Sequence, residues 1–228
     1  MTSMEFMDRK CLSDEAIYTI ENMVKNHISG NYQDVRNVIL GYDSKNNIWQ
    51  SKYGEYIARR HVSDIKPPKT SPMYILRNQI DDNNEKIETF SKNNGMTFYD
   101  DEVYDSVRIY MDDSVRRVLE ALFTVSKNVI EYKHVIDIIV TEWDANNVKD
   151  AMSLSRSYTD PGICGDLHYH KIEVRKGPWD DLKKITRHRK LAIRDAFKDA
   201  VITFLESRAD MIKENDHQEN DRRDDTNT

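Results

Sequence analysis

The longest regular pattern of apolar positions along the chain lies between about Asp100 and Lys133. Val103, Val107, Tyr110, Met111, Val115, Val118, Leu119, Leu122, Val129 and Ile130 form one stripe with few breaks. Most steps are three or four residues, the spacing that puts side chains on one face of a helix. The pattern predicts a single long helix at the centre of the core. The period then changes. Val135-Ile136-Asp137-Ile138-Ile139-Val140-Thr141 is short, β-branched and bounded by polar residues, which predicts a buried strand over 135–143. A second strand is predicted over 167–175, stopped by Gly177-Pro178. Pro178 suits the first turn of a long last helix from Trp179 to about Met211. The core face of that helix is Leu182, Ile185, Ala196, Phe197, Ala200, Val201, Phe204 and Leu205.

Upstream, Ser13 followed by Asp14 and Glu15 marks a helix start, with acids against the positive end of the dipole. Ile17, Ile20, Val24 and Ile28 continue it and Gly30 stops it. A shorter helix is predicted from Gln33 to Leu40, ending at Gly41, followed by turn-like sequence to Trp49 and an ambiguous stretch from Tyr53 to Arg60. The prolines at 67, 68 and 72 make 63–72 a linker. Met73 to Lys92 reads as helix, closed by Asn93-Asn94-Gly95. Asn146 to Ser155 reads as a short helix and Asp160-Pro161-Gly162 as a turn. The expected organisation is an N-terminal helical lobe (1–62), the linker, a main domain (73–211) and a disordered polar tail (212–228). The expected fold class is α+β, mostly helical. A long central helix packs on a long C-terminal helix beside a small sheet made of 135–143 and 167–175.

Composition adds little to this picture. At 228 residues, with 38% hydrophobic and 32% charged residues, the chain can bury a core. Cys11 and Cys164 form no metal-spaced pair and no disulfide framework, which points to a reducing interior. No apolar run approaches the roughly 18 residues of a membrane span, and the N-terminus lacks the apolar core of a signal peptide. The expectation is a soluble intracellular protein, cytoplasmic, without a membrane partner. Abundant Asn, Asp, Lys and Ile with only seven Gly suggest an AT-rich coding genome, such as that of a phage, a virus or an AT-rich bacterium; for a virus or phage the location is the host cell.

Charge changes the picture more. The chain has a formal net charge of −6, yet His168 to Arg194 holds nine Lys/Arg against three acids. These are Lys171, Arg175, Lys176, Lys183, Lys184, Arg187, Arg189, Lys190 and Arg194, against Glu173, Asp180 and Asp181. A local reversal of sign concentrates potential where an anion can dock. Lys183, Arg187, Lys190 and Arg194 would share one face of the last helix, and Lys171 and Arg175 one face of the second strand. Trp179, Tyr169, His168, His170 and His188 could add stacking. Non-enzymatic binding of nucleic acid, DNA included, or of another polyanion is the favoured expectation, with no cofactor. An assembly protein whose basic face meets an acidic protein partner is an alternative. A solvated helix face, or cations paired with Asp112 and Asp113 of the same chain, is the plainer reading.

Acids raise a further alternative. Glu142 and Asp144 would finish the apolar face of the first predicted strand, while Asp166 and Glu173 lie at the start and middle of the second. Carboxylates on adjacent strands with a nearby cation are the ingredients of two-metal phosphodiester chemistry. Ile172-Glu173-Val174-Arg175-Lys176 resembles the E-x-K strand of PD-(D/E)xK nucleases. That resemblance implies Glu173 as a catalytic acid with Glu142, Asp144 or Asp166 as its partner, and Mg²⁺ or Mn²⁺ as cofactor. The residue two after Glu173 is Arg175, which does not give up a proton as a catalytic lysine would. Surface acids in a salt-bridged sheet are the plainer reading. His168 and His170 form an H-x-H pair of the kind seen in some metal sites, without a third ligand at diagnostic spacing.

Overall fold

Short local signals decide where each element begins and ends. The computed structural model describes residues 12–60, 104–143 and 167–225, with side chains described at 12–58, 104–143 and 167–213. Helix α1, Asp14–Ile28, starts where the Ser13 side chain accepts from the Ala16 N–H, and it is followed by Gly30 at φ 78°. Helix α2, Tyr32–Leu40, ends at Gly41 in the left-handed conformation. A hairpin of β1, Tyr42–Asp43, and β2, Ile48–Trp49, leads into α3, Lys52–Arg60. Gly41 and Gly54 allow this tight return: a Cβ on Gly54 would lie 1.8 Å from the Leu40 carbonyl oxygen, and one on Gly41 2.5 Å from the Ser51 Cβ.

The expected long central helix is two different elements. Strand β3, Tyr104–Met111, precedes helix α4, Asp113–Ser126. Val107, Ile109 and Met111 alternate toward the interior with Arg108 and Tyr110 outside, so the period here is 2. Asp112 marks the boundary, because its side chain accepts from the Val115 N–H and the Ser114 hydroxyl. The strand expected over 135–143 is corrected in the opposite sense. It is helix α5, Tyr132–Glu142, with every residue from His134 to Val140 buried. A helix buried on all sides shows no amphipathic stripe, and its short apolar run reads like a strand.

Strand β4, His168–Arg175, forms where it was expected. It pairs antiparallel with β3 in a two-stranded ribbon, Tyr104 opposite Arg175 and Met111 opposite His168. The last helix is broken. Helix α6, Lys176–Arg189, ends at Lys190, and α7 runs from Ile193 to Asp225. The segment from Ile212, expected as a disordered tail, continues α7, and Ile212 itself is buried. The fold class is α+β and mostly helical, as expected, with seven helices among the described residues. The expectations for 63–72, for a helix from Met73 to Lys92, for 146–155 and for Cys11 and Cys164 lie outside those residues.

Helix α7 takes the central place expected of 100–133. It packs on α1, α2, α5, α6 and β3. Phe197, Val201 and Leu205 are fully buried on α7, as is Leu122 on α4. The Thr19 hydroxyl of α1 donates to the Leu205 carbonyl at 2.9 Å. Charged side chains of α7 also anchor other elements. Lys198 donates to Asp112 at 2.5 Å, Arg208 to Glu142 at 2.7 Å, and Asp199 accepts from the Trp143 indole at 2.8 Å. Burial raises the Asp199 carboxyl above its ordinary value, with that hydrogen bond opposing. Among the described residues no helix is long and apolar enough to cross a membrane.

Arg175, the last residue of β4 and the residue before α6, is one of the two most deeply buried charges among the described residues. It donates to the Tyr53 hydroxyl at 3.0 Å and lies 3.9 Å from the Asp137 carboxylate of α5; both charges are 1% exposed. Asp137 also accepts from the Tyr104 hydroxyl at 3.2 Å. The burial that works against the guanidinium charge is more than offset by Tyr53 and Asp137, which raise its pKa. Removing one partner of such a pair leaves an uncompensated buried charge, whereas removing both can be nearly neutral. We expect Asp137→Ala to cost about 3–5 kcal/mol in urea unfolding, and Asp137→Leu with Arg175→Met to recover most of that loss. A single substitution costing under about 0.5 kcal/mol, as surface changes do, would show that the pair carries no such constraint.

Candidate functional site

The expected basic island separates into buried and exposed parts. Arg175 leaves it, since its guanidinium is held inside the protein. Trp179 leaves the stacking set too, being buried edge-on against Phe197 with ring centroids 5.9 Å apart. Lys183 and Lys184 remain at the surface but pair within their own turn, with Asp180 at 3.1 Å and Asp181 at 2.9 Å. Exposed pairs of this kind contribute little to stability. Lys171 and Lys176 are exposed.

The expected common face of Lys183, Arg187, Lys190 and Arg194 does not exist, because α6 stops at Arg189. Instead Arg187, His188, Arg189 and Lys190 are consecutive and exposed at the end of α6, and Arg194 follows in the first turn of α7. Four cations therefore surround one helix–helix corner. Arg194 contacts Asp195 at 3.2 Å, while Arg187 and Lys190 form no ion pair among the described residues. Part of this arrangement suits the helix itself, because cations are favoured near the negative end of its dipole.

Lys190 does not suit the helix. Its φ of 57° and ψ of 34° are left-handed, the conformation that glycine adopts without strain and an L side chain does not. The turn is a Schellman motif: the Leu191 N–H donates to the Thr186 carbonyl at 2.9 Å and the Lys190 N–H to Arg187 at 3.2 Å. A lysine stands where glycine is preferred, on a site whose local rule asks for no side chain.

Of the acids of the expected nuclease site, Glu142 and Glu173 are among the described residues, and they sit on different elements. Glu142 lies at the end of helix α5, where it accepts from Arg208 and from the Ser51 hydroxyl. Glu173 is exposed on β4, across the ribbon from Ser106. The premise of adjacent acidic strands fails because 135–143 is a helix. The cation two residues past Glu173 is Arg175, committed to Tyr53 and Asp137. Asp144 and Asp166 lie outside the described residues. Among the described residues no group of three or more His, Cys, Asp and Glu side chains is placed to hold a metal ion. His168 is exposed 4.0 Å from Asp113, and His170 is half-buried beside it on the strand.

The ribbon carries a second exposed surface that the sequence reading missed, because Arg108 and Tyr110 were assigned to a helix. The outer face of β3 and β4 presents three cross-strand pairs: Ser106 with Glu173, Arg108 with Lys171 and Tyr110 with Tyr169. The tyrosine rings lie 3.5 Å apart between centroids, yet Tyr110 is 43% and Tyr169 60% exposed. A side-chain hydrogen bond to Tyr169, which favours the neutral phenol, raises the pKa of Tyr110. Alternation at Val107, Ile109 and Met111, ended by the Asp112 cap, was the signal that could have found this face.

Comparison with family models, curated proteins and solved structures finds no match to this chain. The site must be judged on its own geometry.

Lys190 offers a direct check on whether the corner sacrifices local stability for a cation. Glycine removes the left-handed strain, so Lys190→Gly should stabilise the fold by about 1 kcal/mol despite deleting a side chain. Thermal unfolding measures this. A lower melting temperature for Lys190→Gly would mean that the lysine side chain contributes to the fold.

Proposed function

We propose that this protein binds nucleic acid, or a closely similar polyanion, without catalysis, through the corner where α6 meets α7. The carrying observation is the set Arg187, Arg189, Lys190 and Arg194, all exposed around one turn, with Lys190 in backbone that disfavours it. A helix end accounts for cations in its last turn, but not for a side chain at its left-handed position. Lys176 on the same helix extends the positive surface, while Lys183 and Lys184 are matched by Asp180 and Asp181. Phosphates are the natural complement of such a surface. Each contact releases counterions, and guanidinium groups bind phosphate oxygens in a fork.

An acidic protein would meet the same cations, but would not require them to track a regularly charged backbone. The nuclease reading is less favoured, since Glu142 is engaged by Arg208 and Ser51 and Arg175 is buried against Tyr53 and Asp137.

The test is a salt titration of fluorescence anisotropy with labelled duplex DNA. Four phosphate contacts imply a log–log slope of about −3.6, at roughly 0.9 per contact. Arg187→Ala, Arg189→Ala, Lys190→Gly and Arg194→Ala should each weaken binding similarly across sequences and flatten the slope by about one. Arg175→Met should change stability and leave the slope alone. If DNA and RNA stay unbound at about 50 mM salt, where electrostatic binding is strong, the reading fails and an acidic protein partner takes its place.

A further inference from the structure

We propose that the outer face of the β3–β4 ribbon is a stacking platform for single-stranded nucleic acid, with bases on Tyr110 and Tyr169 and the backbone against Arg108 and Lys171. The proposal rests on the reading of the α6–α7 corner as a polyanion site and adds the kind of strand it takes. Arg108 and Lys171 are direct cross-strand neighbours on the solvent side of a two-stranded ribbon. Like charges opposite one another destabilise a sheet. No ion pair relieves either residue among the described residues. An anion between them would.

The next rung holds the tyrosines. A cross-strand aromatic pair stabilises a ribbon, which explains their contact. It does not explain why both rings keep large exposed areas beside two cations, when the inner face is filled with Val107, Ile109, Ile172 and Val174. Exposed aromatic rings alternating with cations are how surfaces hold unpaired bases, since every base has a face to stack and a phosphate to follow. Duplex bases are already stacked on one another and gain nothing from such rings.

The neighbourhood of Lys171 adds an independent observation. Between β4 and α4 a cavity of about 290 Å³ is lined by Lys171, His170, Phe123, Tyr132 and Glu120, among others. That volume is near the lower end for small-ligand clefts. His170 Nε2 is buried and has no hydrogen-bond partner. A buried polar atom without a partner costs stability; His170 is on the opposite face of the strand from Tyr169, so this cleft offers a base edge only where the bound strand passes round Lys171 at the edge of β4.

The experiment uses the full chain, a labelled oligothymidylate and a duplex of equal length. Tyr110→Leu with Tyr169→Leu should weaken oligothymidylate binding about tenfold or more while leaving duplex affinity within about twofold. The Phe pair at both positions should bind like the original chain, because it keeps the rings. Equal loss on both ligands, or no loss on either, overturns the platform. The double substitution Arg187→Ala, Lys190→Gly separates the two claims, since it should weaken both ligands alike. If it does nothing while the Leu pair acts, the corner reading fails alone. Should the Leu pair unfold, photocrosslinking of iodouracil-substituted single strand to the unaltered chain decides. Adducts on Tyr110 or Tyr169 support the proposal, and adducts confined to other peptides refute it.

Discussion

Arg175 and Asp137 form a buried charge pair at which four elements of this fold meet. The arginine ends β4 and immediately precedes α6, while the aspartate sits in the middle of α5. The hydroxyls of Tyr53 and Tyr104 bring α3 and β3 to the same point. Burying two charges is expensive, and their attraction returns that cost only if the surrounding groups are held in place. The strand, the ribbon register and the start of α6 are therefore not independent. A guanidinium that must reach Asp137 fixes where β4 stops, and so fixes the direction in which α6 carries its cations to the corner.

Helix α7 answers the same need on the other side. Lys198 and Arg208, buried at 4% and 3%, point to Asp112 and Glu142, and the Arg208 Nε also donates to the Val38 carbonyl at 3.1 Å. Asp112 is at once the cap of α4 and the partner of Lys198. The turn from β3 into α4 is thus pinned by the helix that packs across it. Both ends of the ribbon are tied to the helical core by charge, and its outer face is left to solvent.

Local rules in the sequence carried far where one neighbourhood decides the outcome. Ser13, Gly30 and Gly41 bounded α1 and α2 correctly, and His168–Arg175 was legible as a strand from its alternation. The readings failed where tertiary burial overrides the pattern. Residues 104–111 accept a helical stripe if Val103 and Tyr110 are counted, and a strand if Val107, Ile109 and Met111 are. Only the Asp112 cap separates the two. Residues 135–140 are apolar at nearly every position, and such a run carries no period at all. The break at Lys190 was illegible because the left-handed position holds no glycine. The candidate site inherited each error. Arg175 looked like a surface cation, since nothing local reveals that Asp137 lies across from it. Arg108 and Tyr110 went unnoticed because a helix would have put them elsewhere.

The distribution of cations argues that the surface excess has a use. Among the described residues the four buried cations each have a named acceptor: Arg36 the Val129 carbonyl, Arg175 Tyr53 and Asp137, Lys198 Asp112, and Arg208 Glu142. Where the chain places a cation for stability, it supplies the counterpart. Between Lys171 and Arg194 the exposed cations include a like-charge rung on the ribbon and a lysine in left-handed backbone, features that lower stability locally. In a fold whose net stability is a small difference between large terms, such features persist where something outside the chain completes them. An anion docked at each of these places would relieve the local loss.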